Sequence, residues 1–168
     1  MQQGWMERAM RRQEVIKKRE RKPPIGMMMH LDGSKHRWLG EQRDAFDLLL
    51  VLDDATSEIY AGEFVLEEDT HSVLSIIRSF VDKFGIFCSL YTDRASHFVY
   101  TPKAGGPPDK SIRTQCQRAL NRLGIHLTLA MSPQARGRGE RFWRTTQGRL
   151  PQELRRAGLQ TWQEQINI

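Results

Sequence analysis

Residues 46–52 read Phe-Asp-Leu-Leu-Leu-Val-Leu, a nearly continuous apolar run. It is far shorter than the roughly 18 apolar residues needed to span a membrane. It predicts a β-strand buried on both faces, which requires a sheet covered on both sides. Asp53-Asp54-Ala55-Thr56-Ser57 follows and is composed of turn-forming residues. Residues 58–66 then predict a third strand in hairpin with the second, with Gly62 marking a bulge or a close backbone approach. Ahead of the run, residues 27–32 predict a first strand, turned by Gly33-Ser34.

Beyond the hairpin the period changes from two to 3.6. Val73, Ile76, Ile77, Phe80 and Phe84 recur at helical spacing, after a cap at Asp69 or Thr70 and before a stop at Gly85. Residues 87–92 predict a fourth strand. Residues 101–110 are a loop by composition. Ile112, Cys116, Ala119, Leu120 and Leu123 predict a second amphipathic helix, ended by Gly124, and residues 125–130 a fifth strand. After a flexible turn at 133–139, a long helix starts near Arg138 and runs to Gln147 or, kinked at Pro151, to Arg156. The fold class is therefore α/β. It has a mixed five-stranded sheet, three antiparallel strands then strands alternating with helices, and helices on its faces.

The net charge of +6 conceals a segregation. Residues 1–26 carry eight Lys/Arg against three Glu, residues 27–93 five against thirteen acids, and residues 94–168 thirteen against four. The segments thus carry +5, −8 and +9. An acidic centre between basic flanks suits a metal pocket bordered by a surface for a polyanion such as DNA. The N-terminus has no apolar core of a signal peptide, so the expected location is cytoplasmic and nucleoid-associated. Cys88 and Cys116 have no CxxC partner and no zinc spacing, and are read as reduced, buried small side chains. Residues 1–26 are read as a basic arm or linker remnant, stopped by Pro23-Pro24.

Three carboxylates stand where elements begin or end. Asp32 closes the first strand, Asp93 the fourth, and Glu140 opens the last helix. Carboxylates so placed suit a pair of Mg²⁺ ions. Glu140 shares a helical face with Trp143, Gln147, Leu150 and Leu154, at the edge of the core-facing stripe, where an uncompensated carboxylate is costly. Asp53 and Asp54 are rivals read as a hairpin turn. His30 is read as a packed or hydrogen-bonded histidine, and Trp143 as core. Arg136, Arg138, Arg141 and Arg144 bracket Glu140, and with Gly137 and Gly139 they form a candidate clamp on a phosphate backbone. Arg94 and His97, just past Asp93, are further candidate DNA contacts. His36 is read as a surface histidine that could also meet DNA.

The strings HLDGSKHRWL, LLLVLDDATSEIYAGEFV, YTDRASHF and SPQARGRGERFWRTTQGRL, in this order, resemble the catalytic core of the DDE transposases of bacterial insertion sequences, in the group termed not classified yet. These are relatives of retroviral integrases. The resemblance runs from about Met27 to Gly158 and implies an RNase H-like core over residues 27–158, followed by a truncated C-terminal extension at 159–168. It implies that Asp32, Asp93 and Glu140 are catalytic and hold two Mg²⁺ ions, with Mn²⁺ as a substitute. It further implies DNA strand cleavage and strand transfer, and a homo-oligomer on DNA. Two positions depart from the pattern: Gly139 stands where the family often has Val, and Arg94 where many integrase relatives have Asn. Full members carry an N-terminal helix-turn-helix region, so the chain is read as an excised core or the product of a decaying element. The alternative reading is an inactive fragment that binds DNA without sequence preference.

Overall fold

Alternation along the apolar run sets the layers. In the structure, a computed structural model, Phe46, Leu48 and Leu50 join one hydrophobic cluster, whereas Leu49 and Val51 join another on the opposite face. The structure describes residues 21–22, 24–40, 43–103, 106–109, 111–130 and 137–159, with backbone alone at 137 and 138. The elements are β1 (Met28–His36), β2 (Phe46–Asp53), β3 (Ile59–Val65), α1 (Thr70–Phe84), β4 (Ser89–Thr92), α2 (Gln115–Leu123), β5 (His126–Leu129) and α3 (Gly137–Arg156). The sheet order is β3-β2-β1-β4-β5. β1 pairs antiparallel with β2 and parallel with β4, β2 pairs antiparallel with β3, and β4 pairs parallel with β5. This is the expected mixed five-stranded α/β arrangement. No helix among the described residues is long and apolar enough to cross a membrane.

α1 and α2 pack on the face bearing Met29, Leu31, Leu49 and Val51, through Val73, Ile76, Ile77, Phe80, Cys116 and Leu120. α3 packs on the other face, where Trp143 and Leu154 meet Trp38, Phe46, Leu48 and Leu50. Both short helices begin with a capping box. Asp69 accepts from the Ser72 N–H while Ser72 accepts from the Asp69 N–H, and Thr114 and Gln117 do the same for α2. Gly124 ends α2 in the left-handed region at φ 72°, where a side chain would be strained.

Several sequence expectations need correction. The first strand does not turn at Gly33-Ser34 but continues to His36, because β2 offers it partners as far as Phe46. The bulge in the hairpin falls at Tyr60: Val51 pairs with Ala61 and Leu52 with Ile59, while Gly62 sits in regular register opposite Leu50. Phe84 is 47% exposed, in α1's last position, where its ring meets Tyr60 and Phe80 and the Lys83 ammonium lies over it. Ile112 lies ahead of α2 and is also exposed. Cys116 is buried as expected, but Cys88 is exposed on the approach to β4. The basic arm at 1–20, the turn at 131–136 and residues 160–168 lie outside the described residues.

Two measurements check this frame. Burial pushes the Cys116 thiol up to about 11, so native protein should react with a thiol reagent at Cys88 alone and denatured protein at both. Replacing the α1 cap, Asp69→Ala, should cost about 1 kcal/mol, or about 2–4 °C in Tm. The Ser72 N–H and hydroxyl hold the Asp69 carboxyl below its usual value of 3.8. That contribution is present above the unfolded-state pKa and disappears as pH falls through the lower folded value, so the two melting curves should converge in strong acid.

Candidate active site

β1 has one apolar side and one polar side. Met29 and Leu31 point to the α1/α2 layer, and the intervening residues His30, Asp32 and Ser34 point to the α3 layer. Asp32 pairs with Leu50, which belongs to the α3-side cluster, and this places its carboxylate under α3. The parallel register of β1 and β4 pairs His30 with Tyr91. Asp93 directly follows β4, beyond the last paired residues, His30 and Tyr91. Asp93 Oδ1 accepts the Ala95 N–H at 2.8 Å, which bends the chain away from the sheet just past β4.

α3 brings the third element. Trp143 Nε1 donates to Asp32 Oδ2 at 3.0 Å, and Gln147 Nε2 donates to Ser34 Oγ at 2.8 Å. A Cβ built on Gly139 would stand 3.1 Å from Asp32 Oδ2, tighter than nearly all side-chain contacts, so a larger residue would require the carboxylate or the helix to give by a few tenths of an ångström. Glycine at this position, where the family often has Val, eases the approach of α3 to Asp32. Glu140 lies in the first turn of α3 and is exposed, not set into the core-facing stripe. The desolvation cost expected of it therefore does not arise. Asp32 lies within β1, Asp93 just past the end of β4 and Glu140 in the first turn of α3; β1 pairs with β4 and is also the strand that α3 meets. Among the described residues, no three His, Cys, Asp or Glu side chains already stand in the closed arrangement of a metal cluster.

Asp53 and Asp54 serve the backbone. Asp53, 1% exposed, accepts the Gly26 N–H at 2.9 Å, the Thr56 N–H at 2.9 Å and the Thr56 hydroxyl at 3.2 Å. Asp54 accepts the Lys22 N–H at 2.8 Å and pairs with His30 Nε2, also at 2.8 Å. They tie the hairpin turn to the strand that enters β1. His30 is hydrogen-bonded and packed on Tyr91, as read from the sequence. His36, at the end of β1, meets the Trp38 ring edge to face at 5.0 Å. A cavity of about 120 Å³ opens between His30, Asp32, Asp54, Gly139, Phe142 and Trp143.

The candidate DNA contacts divide. Arg94, Arg141 and Arg144 are exposed near the carboxylates. Arg136 lies outside the described residues, as does the side chain of Arg138. The His97 side chain turns inward and is only 8% exposed. Its Nε2 lies 3.0 Å from Glu68 Oε1, within ion-pair range, yet no acceptor meets it at hydrogen-bonding geometry. Glu68 in turn abuts Gly33, whose missing Cβ makes the space. Sequence reasoning passed over the Trp143 and Gln147 donors. Gln147 offered a signal, since it is a polar residue inside an otherwise apolar helical stripe.

No family model matches the chain. It is 34% identical over 157 residues to a putative transposase, y4bF, of Sinorhizobium fredii, an alignment covering 92% of this chain and 33% of that protein. It is 32% identical over 151 residues to the transposase for insertion sequence IS1202 of Streptococcus pneumoniae, covering 90% of this chain and 32% of that one. The chain thus spans about a third of the length of these curated relatives. Its fold matches the HTLV-2 integrase catalytic core domain, solved in complex with magnesium in a dimeric form, at a TM-score of 0.58 and 12% identity, covering 83% of this chain and 79% of that one.

The close approach of α3 to Asp32 can be checked by a pair of substitutions. Gly148, also in α3, has open space around its Cβ position. Gly148→Ala should therefore stabilise by about 1 kcal/mol, or about 2–4 °C in Tm. Gly139→Ala should give none of this gain, because Asp32 or the helix must shift. Equal gains at both positions would contradict the contact.

Proposed function

We propose that this chain, a DDE transposase/integrase-like core, performs polynucleotidyl transfer on DNA. It would cut a strand and join it to a target, as insertion-sequence transposition requires. The observation that supports the reading is the close approach of the first turn of α3, which carries Glu140, to Asp32 on β1, the parallel neighbour of the strand that Asp93 follows. Residues 27–158 would form the catalytic unit.

The donor set suits Mg²⁺, with Mn²⁺ as a substitute: all three groups are hard carboxylate oxygens, two on adjacent strands and one on an exposed helical turn. The space kept by Gly139 beside Asp32 Oδ2 leaves that carboxylate approachable. Asp32, Asp93 and Glu140 would together hold the metal ions. When bound, the metal supplies Lewis-acid stabilisation of the phosphoryl oxygens and a nucleophile competent at neutral pH. The HTLV-2 core was solved with magnesium, which supports this choice of cation. No side-chain nucleophile is needed, and the residues act by holding and orienting.

Arg94, Arg141 and Arg144, with Arg136 and Arg138, would hold the DNA backbone. Such contacts position without reading sequence, and their affinity falls steeply with salt. Recognition of element ends would rest elsewhere in a longer protein, and a homo-oligomer on paired DNA ends would be the working form.

The test is nicking or joining of supercoiled plasmid with Mg²⁺ or Mn²⁺, beside Glu140→Gln. Several kcal/mol of transition-state stabilisation is at stake and each 1.4 kcal/mol is tenfold. The substitution should therefore lower the rate by about a hundredfold or more while the fold and metal-free DNA binding stay intact. Full activity in Glu140→Gln would remove Glu140 from the site. A wild-type chain that binds DNA in a salt-sensitive way and never cuts it would favour the inactive-fragment reading.

A further inference from the structure

The α3 face that meets β1 carries Gly139, Trp143 and Gln147, each one helical turn after the last. Opposite them, Asp32 and Ser34 are the polar residues on the matching side of β1. The two hydrogen bonds, Trp143 to Asp32 and Gln147 to Ser34, form two rungs between helix and strand. Their spacing agrees on both sides. Four residues of helix advance about 6.0 Å, and two residues of strand advance about 6.6–6.8 Å.

We infer that Trp143 and Gln147 are positioning residues that fix the axial register and rotation of α3 on β1, and thereby the place of Glu140 relative to Asp32. This rests on the reading of Asp32 and Glu140 as metal-binding carboxylates. Burial of Trp143 and Leu154 against Trp38, Phe46, Leu48 and Leu50 holds the helix down, but apolar contact is non-directional and tolerates sliding. A slip of one residue along α3 moves every side chain by about 1.5 Å and turns it by about 100°. Both rungs would then break. One rung alone would leave the helix free to pivot about it, and two fix both motions.

Core packing alone does not account for these contacts. Trp143 is 8% exposed and its ring lies between Trp38 and Phe142, at 6.2 and 5.5 Å. Phenylalanine would fill much of that space. The aim of the indole N–H at Asp32 is a separate feature, as is a half-buried glutamine amide in an apolar stripe. The indole occupies one acceptor site of a carboxylate that has about four.

The first arm of the test needs no catalysis. In the metal-free full chain, the Trp143 indole N–H resonance is identified by its loss in Trp143→Phe. Asp32→Ala should shift it and speed its exchange with solvent about tenfold or more, and an unmoved resonance would overturn the rung. Mn²⁺ should broaden this resonance, and Gln147→Met should raise the Mn²⁺ concentration required by about 10–100-fold, the usual effect of removing a group that orients a ligand.

The second arm is the Mg²⁺ dependence of plasmid nicking. Trp143→Phe and Gln147→Met should each raise the half-maximal Mg²⁺ concentration by about 10–100-fold, with metal-free DNA binding unchanged. A merely structural role would lower Tm without changing the metal requirement. Folded variants that keep the wild-type Mg²⁺ requirement would overturn the positioning role. A wild-type chain that never cuts DNA would instead count against the proposed activity, and the Mn²⁺ titration would still decide the role of Gln147.

Discussion

The polar side of β1 is the constraint on which the rest of the structure depends. β1 is the middle strand of the sheet, flanked by β2 and β4, and a middle strand normally buries both sides. Its α1/α2 side is apolar, while its α3 side carries His30, Asp32 and Ser34. Polar groups at such a place must be met by partners or remain open to solvent and ligand. Each of the three is met by a different device. His30 pairs with Asp54 of the hairpin turn, Ser34 receives the Gln147 amide, and Asp32 receives the Trp143 indole. α3 is therefore held by the strand it covers, not by apolar contact alone.

The pairing of β1 explains how one strand organises the site. Antiparallel pairing with β2 anchors its full length from Met29 to His36. Parallel pairing with β4 covers only Met28 to His30. The two strands run together and then part just where Asp32 and Asp93 stand. Adjacent parallel strands that separate leave a crevice at their C-terminal ends, the usual ligand position in open α/β sheets. The first turn of α3 approaches Asp32 on β1, and Glu140 in that turn is exposed.

Much of this was legible in the sequence because burial leaves a period. The run at 46–52, the alternation in β3 and the stripe Val73, Ile76, Ile77 and Phe80 each report one local rule, and the order of elements followed from them. What was not legible depends on partners distant in the chain. Gly33-Ser34 has turn chemistry, but β2 extends the strand through it, and the glycine serves the approach of Glu68 instead. His97 was read as a candidate DNA contact because nothing local shows that it turns inward beside Glu68. The bulge chose Tyr60 over Gly62 because register along the whole hairpin, not glycine content, decides where one residue is left over. Trp143 was correctly read as core, but the target of its N–H depends on the register of a helix 111 residues away along the chain.

Glu140 shows where the sequence pattern and the structure differ. Its position at the edge of the apolar stripe suggested a buried charge that a metal would compensate. In the structure the group is exposed, so solvent already compensates it. An exposed carboxylate would suit the proposed chemistry better than a buried one. A DNA backbone is too large to enter the core, so at least one ligand would have to stand where phosphate can arrive. In that reading Asp32, half-buried and met by the indole, would provide the rigid point, and Glu140, on an exposed turn, the open one. The geometry between them would then be set by how α3 lies on β1, which would make the two polar rungs part of the site although neither donor is one of the carboxylates.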